Sequence, residues 1–502
     1  MDVIINGVIG AIQNMATVDF WLAVAIGSII GLIFGIIPGI SGMLALALML
    51  PFVFRMSPVM ALPMMMAVMG IQFFGGAVSA ILINLPGTPG NAATILDGFK
   101  MSENGESGRA IGAAEMSSAF GNVTTAIISL ALIPAMLPII MAITSADMVF
   151  IMLLGMAFVA VLSSGTMIKG LISAGVGLLI AFIGFQQSTG VARFTFGSLY
   201  LYDGIALVPL ALGLFGIPEM IALATTGGSI SKRDILFKGM SDVWRGCKDV
   251  FHHWPLSVRS AVIGFIVGII PALGASSACF LAYGQAKQTS KHPEKFGTGT
   301  VEGVIAPESA NNACEAGALL TTLTLGIPGS GIMALLIGAM LMLGLIPGPE
   351  MITKHLDLSL TLFWVVIITG LLGAIVCLPL APQLAKIAFM PGRILIPLVM
   401  VVAFVGSYAY QERIEDVIVL FIFSVLGVLM RRYNFNRPSL FLAFILGGLF
   451  EKFLFIAIKV GGATFFVRPI SMITMAIIVL LFVWGPIKRA FNQRRNVGVG
   501  AA

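Results

Sequence analysis

Charge is what this sequence has least of. Only 10% of its 502 residues are Asp, Glu, Lys or Arg, against about 25% in an ordinary soluble domain. That scarcity excludes a soluble enzyme, a nucleic-acid-binding module and a disordered chain, all of which need polar or charged surface. Cysteine is scarce too. Cys247, Cys279, Cys314 and Cys377 stand far apart with no C-x-x-C pair, so neither a disulfide framework nor a zinc site is indicated. All four histidines lie in or near polar stretches, and the apolar runs hold no Ser/His or paired-Asp arrangement, which excludes an intramembrane hydrolase. No G-x-x-x-x-G-K-[ST] loop occurs, so the chain does not itself hydrolyse ATP. Strands alternating polar and apolar residues are missing as well, which excludes a porin-like barrel.

What fills the sequence instead is apolar: 58% of the residues, with a mean hydropathy of +1.05. The 58 Gly and 24 Pro are dispersed through the apolar runs. A spanning helix needs about 20 apolar residues. The composition therefore predicts an all-α polytopic membrane protein with roughly 10–12 spans plus re-entrant or broken helices. Residues 1–19 lack a basic n-region and a clear cleavage site, so a retained N-terminal segment is expected.

Basic residues set an expected orientation. Lys232, Arg233, Lys238, Arg245, Lys248 and Arg259 cluster in the longest polar stretch, and Arg431, Arg432, Arg437, Lys488, Arg489, Arg494 and Arg495 follow near the end. The positive-inside rule places these in the cytoplasm, with Gln411 to Asp416 outside and a cytoplasmic C-terminus. The net charge of +6 belongs to such a surface and does not indicate a nucleic-acid partner.

The chain repeats itself. Gly31–Gly42 reads GLIFGIIPGISG and Gly264–Ala275 reads GFIVGIIPALGA, identical at six of twelve positions at an offset of 233. Roughly one match is expected by chance at ordinary residue frequencies. NLPGTPG at Asn84–Gly90 and GIPGSG at Gly326–Gly331 form a second pair at an offset of 242, the extra residues falling in the basic loop Lys287 to Lys295. The expected organisation is an N-terminal segment 1–19, a first transmembrane repeat 20–225 and a cytoplasmic basic loop 226–258. A second repeat 259–487 with extra C-terminal helices and a cytoplasmic tail 488–502 follow.

Pro and Gly inside an apolar run break a helix by removing a donor and loosening φ and ψ. Freed backbone groups survive in a membrane only where protein buries them or they line a cavity. Matched breaks in two halves point to the binding site of a secondary transporter, and half-helix N-termini suit a carboxylate. Candidate substrate-binding residues are Asn84, Pro86, Gly87, Thr88, Asn91, Ser276, Asn311, Asn312, Gly329 and Ser330. Ser41, Thr94 and Ser277 are further small polar groups beside the breaks. Candidate hinge or ion-coupling residues are Pro38, Gly39, Ser41, Pro271, Gly274, Asp97 and Glu308. Glu302, Glu308 and Glu315 precede or enter one apolar run, where ionisable groups are expensive and usually functional. No cofactor and no resident metal are expected, with unwound carbonyls able to hold a passing Na⁺. The Met-rich stretch Met56–Met69 reads as packing, His252-His253 as interfacial, and Lys100–Arg109 as a solvated loop.

These motifs carry a resemblance. GIIPGISG at 35–42, NLPGTPGNAAT at 84–94 with Asp97-Gly98, and Gly108-Arg109-Ala110 resemble the large membrane subunit (TctA-type) of the tripartite tricarboxylate transporter family. So do GIIPALGAS at 268–276, SKHPEKFGTGTVEGVIAPESANNA at 290–313 and TLTLGIPGSG at 322–331. The resemblance runs from about residue 20 to 485. Ala272 stands where family members often carry Gly, and Cys314 and Glu315 where small residues are common. The resemblance implies a permease of the bacterial inner (cytoplasmic) membrane. It would work with a small four-helix membrane subunit and a periplasmic solute-binding protein. Uptake of a di- or tricarboxylate such as citrate would be driven by symport with Na⁺ or H⁺. Inverted repeats and an elevator-like motion are expected of such a carrier, and a homo-oligomer stays open. A channel or exporter using the same broken-helix site is the alternative.

Overall fold

A computed structural model describes residues 2–162, 166–186, 189–226, 239–271, 273–390 and 392–483. Ala272, Lys232, Arg233, Lys238 and the basic tail from 488 lie outside the described residues. The helices that position the site are α1 (Val18–Ile36), α2 (Gly42–Val53), α3 (Pro58–Ile83), α4 (Ile95–Glu103) and α5 (Ser107–Met141) in the first half. In the second half they are α6 (Met240–His252), α7 (Trp254–Ile269), α8 (Gly274–Thr289), α9 (Glu302–Leu325), α10 (Gly331–Met342) and α11 (Leu356–Leu384).

Glycine spacing decides how the first helices meet. In α1, Gly27, Gly31 and Gly35 recur every four residues and so share one face. That face lies on the backbone of α3. A methyl group at each glycine would overlap the carbonyl oxygens of Met64, Val68 and Gln72 in turn. From the other side, Gly75 of α3 meets the Leu32 carbonyl. The second half repeats the contact. Gly264 and Gly268 of α7 meet the carbonyls of Ala310 and Cys314, and Gly317 of α9 meets that of Phe265. The contacts of Gly31, Gly35 and Gly75 map onto those of Gly264, Gly268 and Gly317 by the offsets 233 and 242 read from the sequence, and Ser260 stands at the counterpart of Gly27. Small residues at four-residue spacing let membrane helices approach to backbone contact, where dispersion and weak hydrogen bonds accumulate.

The breaks repeat as well. α1 ends at Ile37 with ψ 113°, and α7 ends at Ile270 with ψ 115°. α3 ends at Asn84 in the left-handed region (φ 62°), and α9 ends at Gly326 in the same region (φ 71°). Asn and Gly are the residues that tolerate that conformation. Gly87 then seats on the Gly35 carbonyl, and Gly329 on the Gly268 carbonyl. Beyond the breaks the halves interlock reciprocally. The 3₁₀ turn Pro89–Asn91 packs on α8, and α10, its counterpart, packs on α2, the counterpart of α8. Two-fold-related elements make this kind of reciprocal contact.

Among the described residues seven helices are long and apolar enough to cross a membrane: Val18–Ile36, Pro58–Ile83, Ser107–Met141, Leu207–Thr225, Leu356–Phe389, Gly392–Gln411 and Arg437–Gly461. The pair α6 and α7, bent by 76°, brings the number to eight if it forms one span. The expected ten to twelve is higher because the breaks cut apolar runs into shorter helices, such as α2 and α10. Of the expected basic loop, the part from Met240 to His252 is helical.

The chain divides into two compact units, each drawing on both halves of the sequence. One holds Met1–Ile140 and Ala206–Leu429, the other Met141–Ile205 and Met430–Ala502. In the second unit, Arg193 grips Glu451 through two bonds of 2.6 and 2.8 Å. Asp147 there is buried and accepts from Ser471 at 2.7 Å and Arg468 at 3.1 Å.

Replacing Gly268 by Val should lower stability by about 1–3 kcal/mol, the usual cost of overpacking. Gly284→Ala, in α8 with open space around its Cα, should be neutral or stabilising by about 0.5–1 kcal/mol. Thermal unfolding of the two variants in detergent checks the difference. Equal transition temperatures would mean that the α7–α9 contact is not tight.

Candidate functional site

The polar centre of the first unit is built on α9. Pro307 withholds one backbone donor from that helix. Next to it Glu308 projects into the protein and is fully buried. Its Oε1 accepts hydrogen bonds from the Asn91 amide at 3.0 Å and from the Thr94 hydroxyl. Its Oε2 accepts from the Ser118 hydroxyl at 2.9 Å and the Asn311 amide at 2.7 Å. Four donors match the roughly four lone-pair sites of a carboxylate. None of the four carries charge, and Glu308 makes no ion pair among the described residues. Neutral donors make an anion tolerable in the interior and leave its charge uncancelled.

The network continues on both sides. Thr88 donates to the Asn91 Oδ1 at 2.7 Å, and Asn91 also donates to the Phe73 carbonyl at 3.0 Å. On the other side the Asn311 Oδ1 accepts from the Asn312 N–H at 2.6 Å. The broken segment of the first half is thus joined through Glu308 to the Asn-Asn pair of the second. Asn312 is buried, yet neither end of its side-chain amide has a partner among the described residues. The Ser309 hydroxyl and one Glu315 oxygen are likewise unsatisfied. Buried polar atoms without partners are costly and mark places where a ligand, ion or water belongs.

Of the residues the sequence nominates, Thr88, Asn91, Glu308 and Asn311 meet in one network, with Asn312 at its end. Others stand elsewhere. Asn84 is exposed at the end of α3, where its left-handed backbone makes the turn. Gly87 and Gly329 are buried contact points, and Pro86 and Pro271 lie beside those turns. Gly39 and Gly274 adopt positive φ of 86° and 65°, a region glycine enters freely. Ser41 and Ser276 are half-buried at the starts of α2 and α8.

The helix ends are partly occupied. Ser330 caps α10 by accepting from the Met333 N–H at 3.3 Å. Gln72 Oε1 accepts from the Gly42 N–H at 3.0 Å, capping α2 from α3. Asp97 is a clasp. One oxygen accepts from the N–H groups of Gly297, Gly299 and Thr300 at 2.8–3.0 Å, and the other from the Tyr283 hydroxyl at 2.8 Å. It ties the inserted loop of the second half to the first.

Sequence reading missed Ser118 and Glu115. Glu115, Ser118, Asn122, Thr125 and Ser129 recur at spacings of three and four along apolar α5, and all are buried. A polar stripe at helical spacing in an apolar run was the available signal.

The site is asymmetric although its frame is repeated. At the offset of 242, Met66 and Met69 stand opposite Glu308 and Asn311, and Met333 and Leu336 opposite Asn91 and Thr94. All four apolar counterparts are buried.

Fold and site together define a multi-pass helical membrane protein with two interlocked, broken-helix repeats and one buried polar centre. A model described as the Tripartite tricarboxylate transporter TctA family matches residues 21–442, and the chain belongs to that family of transporter subunits. It is 34% identical over 486 residues to an uncharacterized 52.8 kDa protein in the TAR-I ttuC' 3' region of Agrobacterium vitis, covering 95% of each chain. An uncharacterized protein in the TAR-II ttuC' 3' region of the same organism is 38% identical over 215 residues, 41% of this chain and 87% of the relative. No solved structure matches.

Asp97→Ala should strip the inserted loop of its clasp, cost about 1–3 kcal/mol for orphaned donors, and open residues 290–300 to protease. Wild-type resistance to cleavage in the variant would mean that the clasp is idle.

Proposed function

We propose that this chain is the permease subunit of a binding-protein-dependent secondary transporter that imports a di- or tricarboxylate such as citrate, driven by an Na⁺ or H⁺ gradient. Its site of action is the bacterial inner membrane, with the C-terminus in the cytoplasm. A small four-helix membrane subunit and a periplasmic solute-binding protein complete the system. Family membership supports the tripartite assembly, and the loop-charge pattern supports the orientation.

One observation carries the mechanism: the buried network Thr88–Asn91–Glu308–Asn311 joins the two broken segments and ends on the unpartnered amide of Asn312. The substrate carboxylate binds beside that amide and the break at Gly329-Ser330. Glu308 is bonded by neutral donors alone, and no Lys or Arg occurs in the break motifs. An anion entering such a low-dielectric site uncompensated is strongly disfavoured, so a cation must travel with it. Helix N-terminal amides supply the rest of the compensation. Access alternates when one rigid part of an inverted-repeat frame moves against the other, an elevator-like motion with the glycine turns as hinges.

Asn312→Ala should remove one carboxylate contact worth about 1.4 kcal/mol, raising the substrate concentration for half-maximal uptake about tenfold. Ser330→Ala should reduce uptake as well, with both variants expressed at wild-type level. Uptake of labelled citrate, tartrate and aromatic acids into vesicles holding the whole transporter measures this. Normal uptake by both variants would remove the substrate from this site.

A further inference from the structure

We propose that Glu115 is the proton-carrying carboxyl of this transporter, taking one H⁺ from water on one side of the membrane and returning it to water on the other. The proposal deepens the reading above and rests on it. Glu115 lies on α5, one helical turn before Ser118. It is fully buried, and neither of its oxygens has a partner among the described residues. Such a carboxyl is not held as a packing element or a cap. The contrast with Asp97 and Glu308, each held by four donors, sets it apart.

Its surroundings favour a proton over a metal cation. The titratable groups near enough to interact with it include Cys247 on α6, Cys377 on α11 and Glu308 on α9. Several cations of neighbouring segments are engaged elsewhere. Arg109, on its own helix, is held by Asp249 and Glu106, Arg245 is turned to Glu106, and His253 to Glu302. Ala119, Val243, Cys247 and Cys377 pack together in the adjoining core. Among the described residues no cluster of three or more His, Cys, Asp or Glu could hold a metal ion. A proton needs only the carboxyl oxygen.

Glu308 decides which carboxyl holds that proton. The two acids are close enough to interact, and like charges in the interior oppose each other. Glu308 has four donors to hold a negative charge, and Glu115 has none. Neutralising Glu115 therefore costs the protein no hydrogen bond.

The step is a bare proton transfer. An O–H bond forms on Glu115 at the expense of hydronium and later breaks in favour of water, with nothing oxidised or reduced. A carboxylate arriving near Asn312 adds negative charge to the same interior and favours the uncharged form of Glu115. By linkage, the proton then favours substrate in return. Substrate and proton load together and leave together.

The test uses the whole transporter in vesicles that enclose a pH dye, with labelled citrate, tartrate and aromatic acids as probes. Wild type should move protons inward with the acid it transports, and Glu115→Gln should cut that proton flux about a hundredfold, the scale of losing a proton-transfer group. Glu115→Asp, which keeps an acid, should restore part of it. Infrared difference spectra at neutral pH give a second measurement that needs no transport: adding the acids should raise a carboxylic-acid C=O band in wild type that Glu115→Gln lacks. Unchanged proton flux in Glu115→Gln, or an unchanged band, overturns the proposal. Acid uptake by wild type with Na⁺ and without protons also overturns it, and leaves the proposed transport function standing. Failure of wild type to move any of the acids removes both.

Discussion

Two backbone contacts hold the site in place: Gly87 on the carbonyl of Gly35, and Gly329 on the carbonyl of Gly268. Each fixes a break against the preceding helix of its own half. A broken helix in a membrane has backbone groups that water cannot reach. Here the protein supplies the partners at van der Waals distance, and only glycine leaves room for that approach. The α1–α3 and α7–α9 pairs, closed by Gly27, Gly31, Gly75, Gly264 and Gly317, are the platforms on which the breaks stand. With the platforms fixed, Asn91 and Thr94 reach Glu308 from the other half, and Thr88 supports Asn91.

The repeated frame carries unlike chemistry. The second half places Glu308 and Asn311 where the first half places Met66 and Met69, and the first half places Asn91 and Thr94 where the second places Met333 and Leu336. One polar centre and one apolar counterpart result. Two buried carboxylates in mirrored sites would each need donors and would repel each other. Concentrating the polar groups in one place lets a single carboxyl group collect donors from three segments: the turn after Gly87, α5 and α9. The methionines opposite fill the same volume without polar cost, a role suited to their flexible side chains.

Electrostatics sets this centre apart. It holds the Glu308 carboxyl with four neutral donors and sits among helices with no Lys or Arg at the breaks. In the Arg109–Asp249–Glu106 ion pairs at the start of α5, by contrast, charges of both signs are matched.

The sequence by itself determined the class of molecule, the repeat and the positions of the breaks. Each of these is written in local patterns: long apolar runs, two copies of a Pro-Gly motif at fixed offsets, and a run of Glu and Asn entering one helix. It also nominated Thr88, Asn91, Glu308 and Asn311, because polar groups are rare enough in such a chain to stand out. Tertiary structure alone decided their partnerships. Asn91 and Glu308 are 217 residues apart, and nothing local tells a carboxylate which distant amide it will meet. The same holds for Asp97, which the sequence grouped with the ion-coupling residues and which the fold commits to the loop at 297–300. It holds for Ser330 and Gln72 too, whose oxygens cap helix ends. Periodicity fixes which face of a helix is polar, whereas the identity of the group facing it depends on how helices from both halves close around one another.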